Sequence, residues 1–165
     1  MNKLLYFTCP TDQLEPVINN EIEYENYYFN SLGNSATFDS DLLIRLKKLI
    51  TSKSINKIYF VLSTDNRIVL DALGNQKYSS ITGLNQFYYH IKMHQENAKD
   101  LWQERYSQLL VFSYHLNSKI AELKQGLQDL LSVELDINGK IYDIRKKDFI
   151  RIHSELFCLK YANFN

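Results

Sequence analysis

The chain has no net charge. Its 19 Lys and Arg balance 19 Asp and Glu, and its isoelectric point is about 6.9. No overall field gathers nucleic acid or draws the protein to an acidic membrane, so neither is expected as a partner. Basic residues are scattered, and the short run at 145–147 is followed at once by Asp148, as in a solvated turn. Cysteine is scarce. Cys9 and Cys158 stand far apart, too few for a secreted disulfide framework. No run approaches the ~18 apolar residues of a membrane span. The opening MNKLLYF turns polar too soon for a signal peptide. The expectation is a soluble cytoplasmic protein with reduced thiols. Glycine is sparse too, five in 165 residues, and NSLGNS at 30–35 is too thin for a phosphate loop. No serine nucleophile elbow, paired strand-end carboxylates, internal repeat or low-complexity tract is present.

Aromatic residues are abundant, with 12 Tyr and 9 Phe. Such rings fill cores and also make interfaces. A chain of 165 residues, 45% hydrophobic, suits one domain, 1–165, around one substantial core.

Residues 3–8, KLLYFT, read as a buried strand, and 11–22 as a short helix capped by Thr11 or Asp12. YENYYF at 24–29 reads as a second strand, followed by a loop in which Gly33 can take a positive φ. Leu42, Leu43, Leu46, Leu49 and Ile50 recur at helical spacing over 39–51, behind Asp39 or Ser40 as a cap. NKIYFVL at 56–62 is a near-continuous apolar run, as in a central parallel strand covered on both faces. IVLDAL at 68–73 reads as one or two helical turns, and 74–83 as irregular. Residues 84–131 are largely helical, with a break expected at 117–119 or Gly126. SVELDINGKIYDI at 132–144 alternates around Asn138–Gly139, a hairpin signal, and KKDFIRI adds a turn and a short strand. The order implies an α/β fold: a mostly parallel central sheet flanked by helices, with a C-terminal strand or hairpin.

In such a sheet the loops leaving the strand C-termini line a common crevice. Those loops bring together Cys9, Thr11, Asp12, Asn30, Asn34, Ser63, Asp65 and Asn66. Each is also an ordinary cap or turn residue.

These loops resemble those of the β-class carbonic anhydrases, whose first strand ends in Cys-x-Asp-x-Arg. CPTDQLEP at 9–16 keeps the cysteine and a following proline, with Thr11 at the aspartate and Gln13 at the arginine. The family's Arg-Asn-Ala-Gly-Asn is matched by NSLGN at 30–34, with Asn30 at the arginine and Gly33 and Asn34 retained. Its Gly-His-x-x-Cys-Gly is matched at the end of IYFVLSTDN, with Ser63 at the histidine and Asn66 at the second cysteine, and Arg67 follows at the glycine. INGKIYDIRKKDFIRI at 137–152 is similar to the closing strand and turn. The likeness covers about the first 70 residues and 115–152. Residues 74–110 match nothing and read as a divergent helical insertion or replacement.

The family holds zinc with two cysteines and one histidine, and the metal makes a hydroxide from bound water. At the matching places this chain has Cys9, Ser63 and Asn66, one thiol and two neutral oxygen or amide groups. The resemblance therefore implies a fold kept without its metal: no zinc, no cofactor and no catalytic residues. It leaves a vestigial pocket of Cys9, Thr11, Gln13, Asn30, Gly33, Asn34, Ser63 and Asn66. The expected role is structural, regulatory or small-ligand binding, with a small polar ligand or anion in the pocket and self-association as a dimer.

Two other readings stand beside it. Cys9, ahead of a helix start, can be a reactive thiol of a redox protein, with Cys158 as a resolving partner. An active zinc-dependent carbonate dehydratase with displaced ligands needs Asp12 or Asp65 to turn inward. His90 and His94, four apart, can share a metal or simply line a helix face with Tyr88, Tyr89, Met93 and Trp102. The amphipathic stretch 120–131 is expected to pack on the sheet.

Overall fold

The structure is a computed structural model, and it describes residues 3–21, 24–101, 104–131 and 134–153. Its elements are β1 (Lys3–Thr8), α1 (Glu15–Glu21), β2 (Glu25–Asn30), α2 (Ser40–Lys53), β3 (Lys57–Ser63), α3 (Arg67–Leu73), α4 (Leu84–Leu101), α5 (Glu104–Gln128), β4 (Asp136–Asp143) and β5 (Asp148–Arg151). The five strands form one sheet in the order β2-β1-β3-β4-β5. The first four are parallel, and β5 closes the edge antiparallel to β4. This is the α/β architecture expected.

Strand alternation explains the aromatic content. Leu5 and Phe7 of β1, with Cys9 just past its end, join the main core, while Leu4 and Tyr6 face the other side with Leu14, Ile18 and Val61. The register sets Phe7 beside Phe29 and Phe60, and Tyr6 beside Tyr28 and Tyr59. Phe7 and Phe60 stack at 4.5 Å between centroids, and Tyr6 stacks on Tyr28 and Tyr59 at 5.7 and 5.5 Å. One ladder is phenylalanine under the long helices, and the other is tyrosine beneath α1. Such pairs add about 0.5–1.5 kcal/mol each beyond their buried area.

α2 begins as expected, with the Asp39 carboxylate accepting the Leu42 N–H at 2.8 Å, and its Leu46 and Ile50 are buried. Residues 74–83 are held in turns by Asp71, whose carboxylate accepts the N–H groups of Lys77 and Tyr78 and the Tyr88 hydroxyl.

Three expectations need correction. The helix expected over 11–22 is a short 3-10 turn, Pro10–Asp12, then Gln13 at φ 51, then α1. Pro16 lacks an N–H and suits the first turn of a helix, so α1 starts there, and Asp12 is used elsewhere. The break expected at 117–119 or Gly126 is absent, because α5 runs through both. Asn117 is buried and donates to the His153 carbonyl at 2.7 Å. A Cβ on Gly126 would lie 2.7 Å from Leu43, so this glycine lets α5 approach α2. The Asn138–Gly139 pair is no turn but the middle of β4, and the chain reverses after Asp143. A Cβ on Gly139 would lie 2.4 Å from Ile152, so the glycine admits that side chain. No helix among the described residues is long and apolar enough to cross a membrane.

Candidate functional site

The chain runs from β1 outward to β2, then crosses back to β3 on the other side of β1. The gap between β1 and β3 is thus the switch point of the sheet, where open α/β folds leave a crevice at the strand C-termini. Loops 9–13, 30–34 and 63–66 all leave the sheet at this end.

The loops are tied by hydrogen bonds. Cys9 Sγ accepts the Gly33 N–H at 3.1 Å and lies 3.1 Å from Thr11 Oγ1. Ser31 N–H donates to the Thr8 carbonyl. Gly33 at φ 60 and Asn34 at φ 55 turn the second loop inward. There the Asn34 amide donates to the carbonyls of Phe7 at 3.3 Å and Val61 at 3.0 Å, bridging β1 and β3. The third loop is held by Asp12, whose carboxylate accepts the Ser63 N–H at 2.8 Å and the Asn66 amide at 2.7 Å. Asn66 Oδ1 meanwhile accepts the Val69 N–H and caps α3. The Ser63 hydroxyl donates to Asp65.

The structure therefore brings Cys9, Thr11, Gly33, Asn34, Ser63 and Asn66 to one place, and the centre of the crevice is filled by their own contacts. Asn30 and Gln13 take no part in these bonds, but both line a cavity beside them that Cys9 also lines. Asn30 bonds Thr8 and Glu15, and Gln13 is exposed. Cys158 and Trp102 lie outside the described residues.

Two groups hold the site in ways that sequence patterning does not show: Asp12, expected in the crevice but not as a link between loops, and His115, not singled out at all. Asp12 is the hub of the first and third loops, through partners 51 and 54 positions away. His115 lies on α5, 82 positions from Gly33, and its Nε2 meets the Gly33 carbonyl at 2.8 Å. A carbonyl only accepts, so Nε2 carries the proton. Burial holds this imidazole well below its usual pKa and keeps it neutral. Gly33 is thus gripped on both sides, by Cys9 at its N–H and His115 at its carbonyl. Of the two helix histidines, His94 is buried and stacked on Tyr114 at 5.8 Å, its pKa pushed down to about 4 by burial and then by His90. His90 faces Lys119 and Glu122 across a separate cavity of about 170 Å³.

Burial, opposed by hydrogen bonds from Ser63 and Asn66, raises the Asp12 pKa from 3.8 to about 6. The folded state then holds this proton more tightly than the unfolded chain. The contribution is fully present below pH ~4 and is lost as pH rises through ~6, by about 3 kcal/mol at most. Urea unfolding from pH 4 to 7 is expected to show this loss in the wild type but not in Asp12→Asn. Parallel pH profiles would reject this account of Asp12.

No family sequence model matches the chain, and no curated protein matches it in sequence. Solved structures do match. The β-carbonic anhydrase CafA of the fungal pathogen Aspergillus fumigatus superposes with a TM-score of 0.71 at 14% identity, over 94% of this chain and 77% of that one. Wild-type CafD of the same fungus gives 0.71 at 18% identity, over 92% and 90%. Tetrameric β-carbonic anhydrases from the ascomycete Sordaria macrospora give 0.70 at 12% identity, over 92% and 81%.

This chain has the β-carbonic anhydrase fold.

The zinc site that the resemblance implies does not fit the residues present. The hydroxyl at 63 and the amide at 66 are poor zinc donors beside the single thiol at 9. Of the two carboxylates that could substitute, Asp12 spends both oxygens on Ser63 and Asn66, and Asp65 accepts the Ser63 hydroxyl. Among the described residues, no group of three or more His, Cys, Asp or Glu side chains is placed to hold a metal ion.

Proposed function

We propose that this protein is a non-catalytic member of the carbonic anhydrase fold that binds no zinc and does not hydrate carbon dioxide. The observation that carries this reading is the Asp12 carboxylate. It links the first and third crevice loops by hydrogen bonds, the job a shared cation does when both loops supply ligands. The role left to the protein is structural, regulatory or small-ligand binding, in the cytoplasm. The whole chain is read as one domain, with 74–110 a divergent helical insertion or replacement. Self-association as a dimer belongs to the same reading.

A redox role for Cys9 requires its sulfur to meet a partner thiol, and a sulfur 1% exposed and engaged by the Gly33 N–H and Thr11 offers little surface for that exchange. An active site with displaced ligands requires Asp12 to abandon two hydrogen bonds at once, or Asp65 to release the Ser63 hydroxyl.

The test is elemental analysis of protein purified without chelator, together with a carbon dioxide hydration assay. Zinc near zero per chain and hydration at the buffer rate are expected. About one zinc per chain, lost in Cys9→Ser, would overturn the reading.

A further inference from the structure

A cavity of about 350 Å³ opens beside the filled switch point, where β1 and β2 end. Thr8, Cys9, Leu14, Glu15, Pro16 and Asn30 form much of its wall, and among the described residues Glu15 is the one charged group lining it. Thr8 and Cys9, both 1% exposed, form its floor.

We infer that this cavity is a binding site for a small protonated alkylamine. The inference rests on the zinc-free reading, because a cation held at Cys9 would reverse the local field.

A relay of two hydrogen bonds in the wall ends on Glu15. The Thr8 hydroxyl spends its single proton on Asn30 Oδ1, and Asn30 Nδ2 donates to Glu15 Oε1 at 2.9 Å. Cys9 Sγ is engaged by the Gly33 N–H. The wall keeps lone pairs on the Thr8 hydroxyl, the Asn30 carbonyl oxygen and the Glu15 carboxylate, and the Asn30 and Gln13 amides are its N–H donors. An ammonium group brings three N–H donors and no acceptor, so it complements this wall. Pro10, Leu14 and Pro16 give the apolar side against which a short alkyl stem can lie. The sign matters equally. The resemblance matches Asn30 and Gln13 to arginines, which would suit an anion. Here both are neutral amides, and the remaining charge is negative. A carboxylate or bicarbonate entering the cavity would face Glu15, and among the described lining residues no cationic side chain would meet it.

The probes are n-propylammonium chloride, sodium butyrate and sodium bicarbonate, each added to the full chain at matched ionic strength. Binding only the native state raises the melting temperature. Propylammonium is expected to raise it by roughly 5 °C near saturation, and the two anions to leave it unchanged. Glu15→Gln, at a half-buried surface position, should weaken propylammonium binding by about tenfold or more. An equal shift with butyrate or bicarbonate, an amine shift that survives Glu15→Gln, or no shift with any probe would overturn the inference. Zinc measured on the same samples separates the two readings. Zinc-free protein that ignores the amine sinks only the amine site, whereas stoichiometric zinc sinks the zinc-free reading itself.

Discussion

Gly33→Ala is expected to destabilise the protein by about 2–5 kcal/mol, a large share of the ~5–15 kcal/mol typical of a folded domain. Two costs add. Gly33 sits at φ 60, a left-handed conformation that costs an L-residue about 1–2 kcal/mol. A Cβ there would also lie 2.7 Å from Phe87 Cζ and 3.2 Å from Ile68 Cγ2. Phe87 cannot easily give way, since it is buried and packed edge-on against Tyr88 and His115. Overpacking of this kind costs about 1–3 kcal/mol. Gly83→Ala separates the two costs. Gly83 also has a positive φ, of 90, but a Cβ there meets nothing within 4 Å. Its loss should be confined to the backbone share, roughly 1–2 kcal/mol. Urea unfolding of both variants checks this, and equal losses would show that the Phe87 contact carries no weight. Displacing the Gly33 loop also removes the N–H from Cys9, so Cys9 should alkylate faster in Gly33→Ala than in the wild type.

The sequence exposed the scaffold more fully than the site, for physical reasons. β1 and β3 announce themselves because strands covered on both faces must be apolar almost throughout, as LLYF and IYFVL are. The three crevice loops follow from where those strands end, and Gly33 was recognisable as a residue free to take a positive φ. Gly126 and Gly139 misled because a glycine that makes room for Leu43 or Ile152 looks the same as one that ends a helix or turns a hairpin. Nothing local distinguishes these uses. The decision lies with a side chain 83 positions away in the first case and 13 in the second. The partners of Asp12, which was expected in the crevice, and the whole role of His115 were illegible for the same reason. Asp12 reads as a helix cap from its neighbours, and His115 sits in a buried run of α5 with no motif around it. Each acquires its role only when β3 or the Gly33 loop arrives. Local chemistry is written in the chain, but partnerships across the sheet appear only once the strands are ordered.

Restoring two donors should restore a metal. The double variant Ser63→His/Asn66→Cys is expected to take up about one zinc per chain where the wild type takes none. With Cys9 it supplies two thiolates and one imidazole, a donor set that zinc holds well. Positions 63 and 66 are the ones the resemblance matches to the family's histidine and second cysteine. They already stand at the end of β3, beside the end of β1, with the Asp12 carboxylate touching both residues. The apo variant should be less stable than the wild type. Asn66→Cys removes the Oδ1 that caps α3 and the amide that meets Asp12, a loss of about 1–3 kcal/mol. Zinc should more than offset that loss, because metal binding to the native state alone adds directly to folding stability. Melting temperature should therefore rise with zinc and fall with chelator in the variant, and respond to neither in the wild type. Adding Cys9→Ser to the double variant should cancel the uptake, tying the metal to this thiol. If the folded double variant binds no zinc, the loops around Cys9 do not converge as the hydrogen bonds through Asp12 require. In that case the crevice never had the geometry of a metal site in this chain, whatever residues line it.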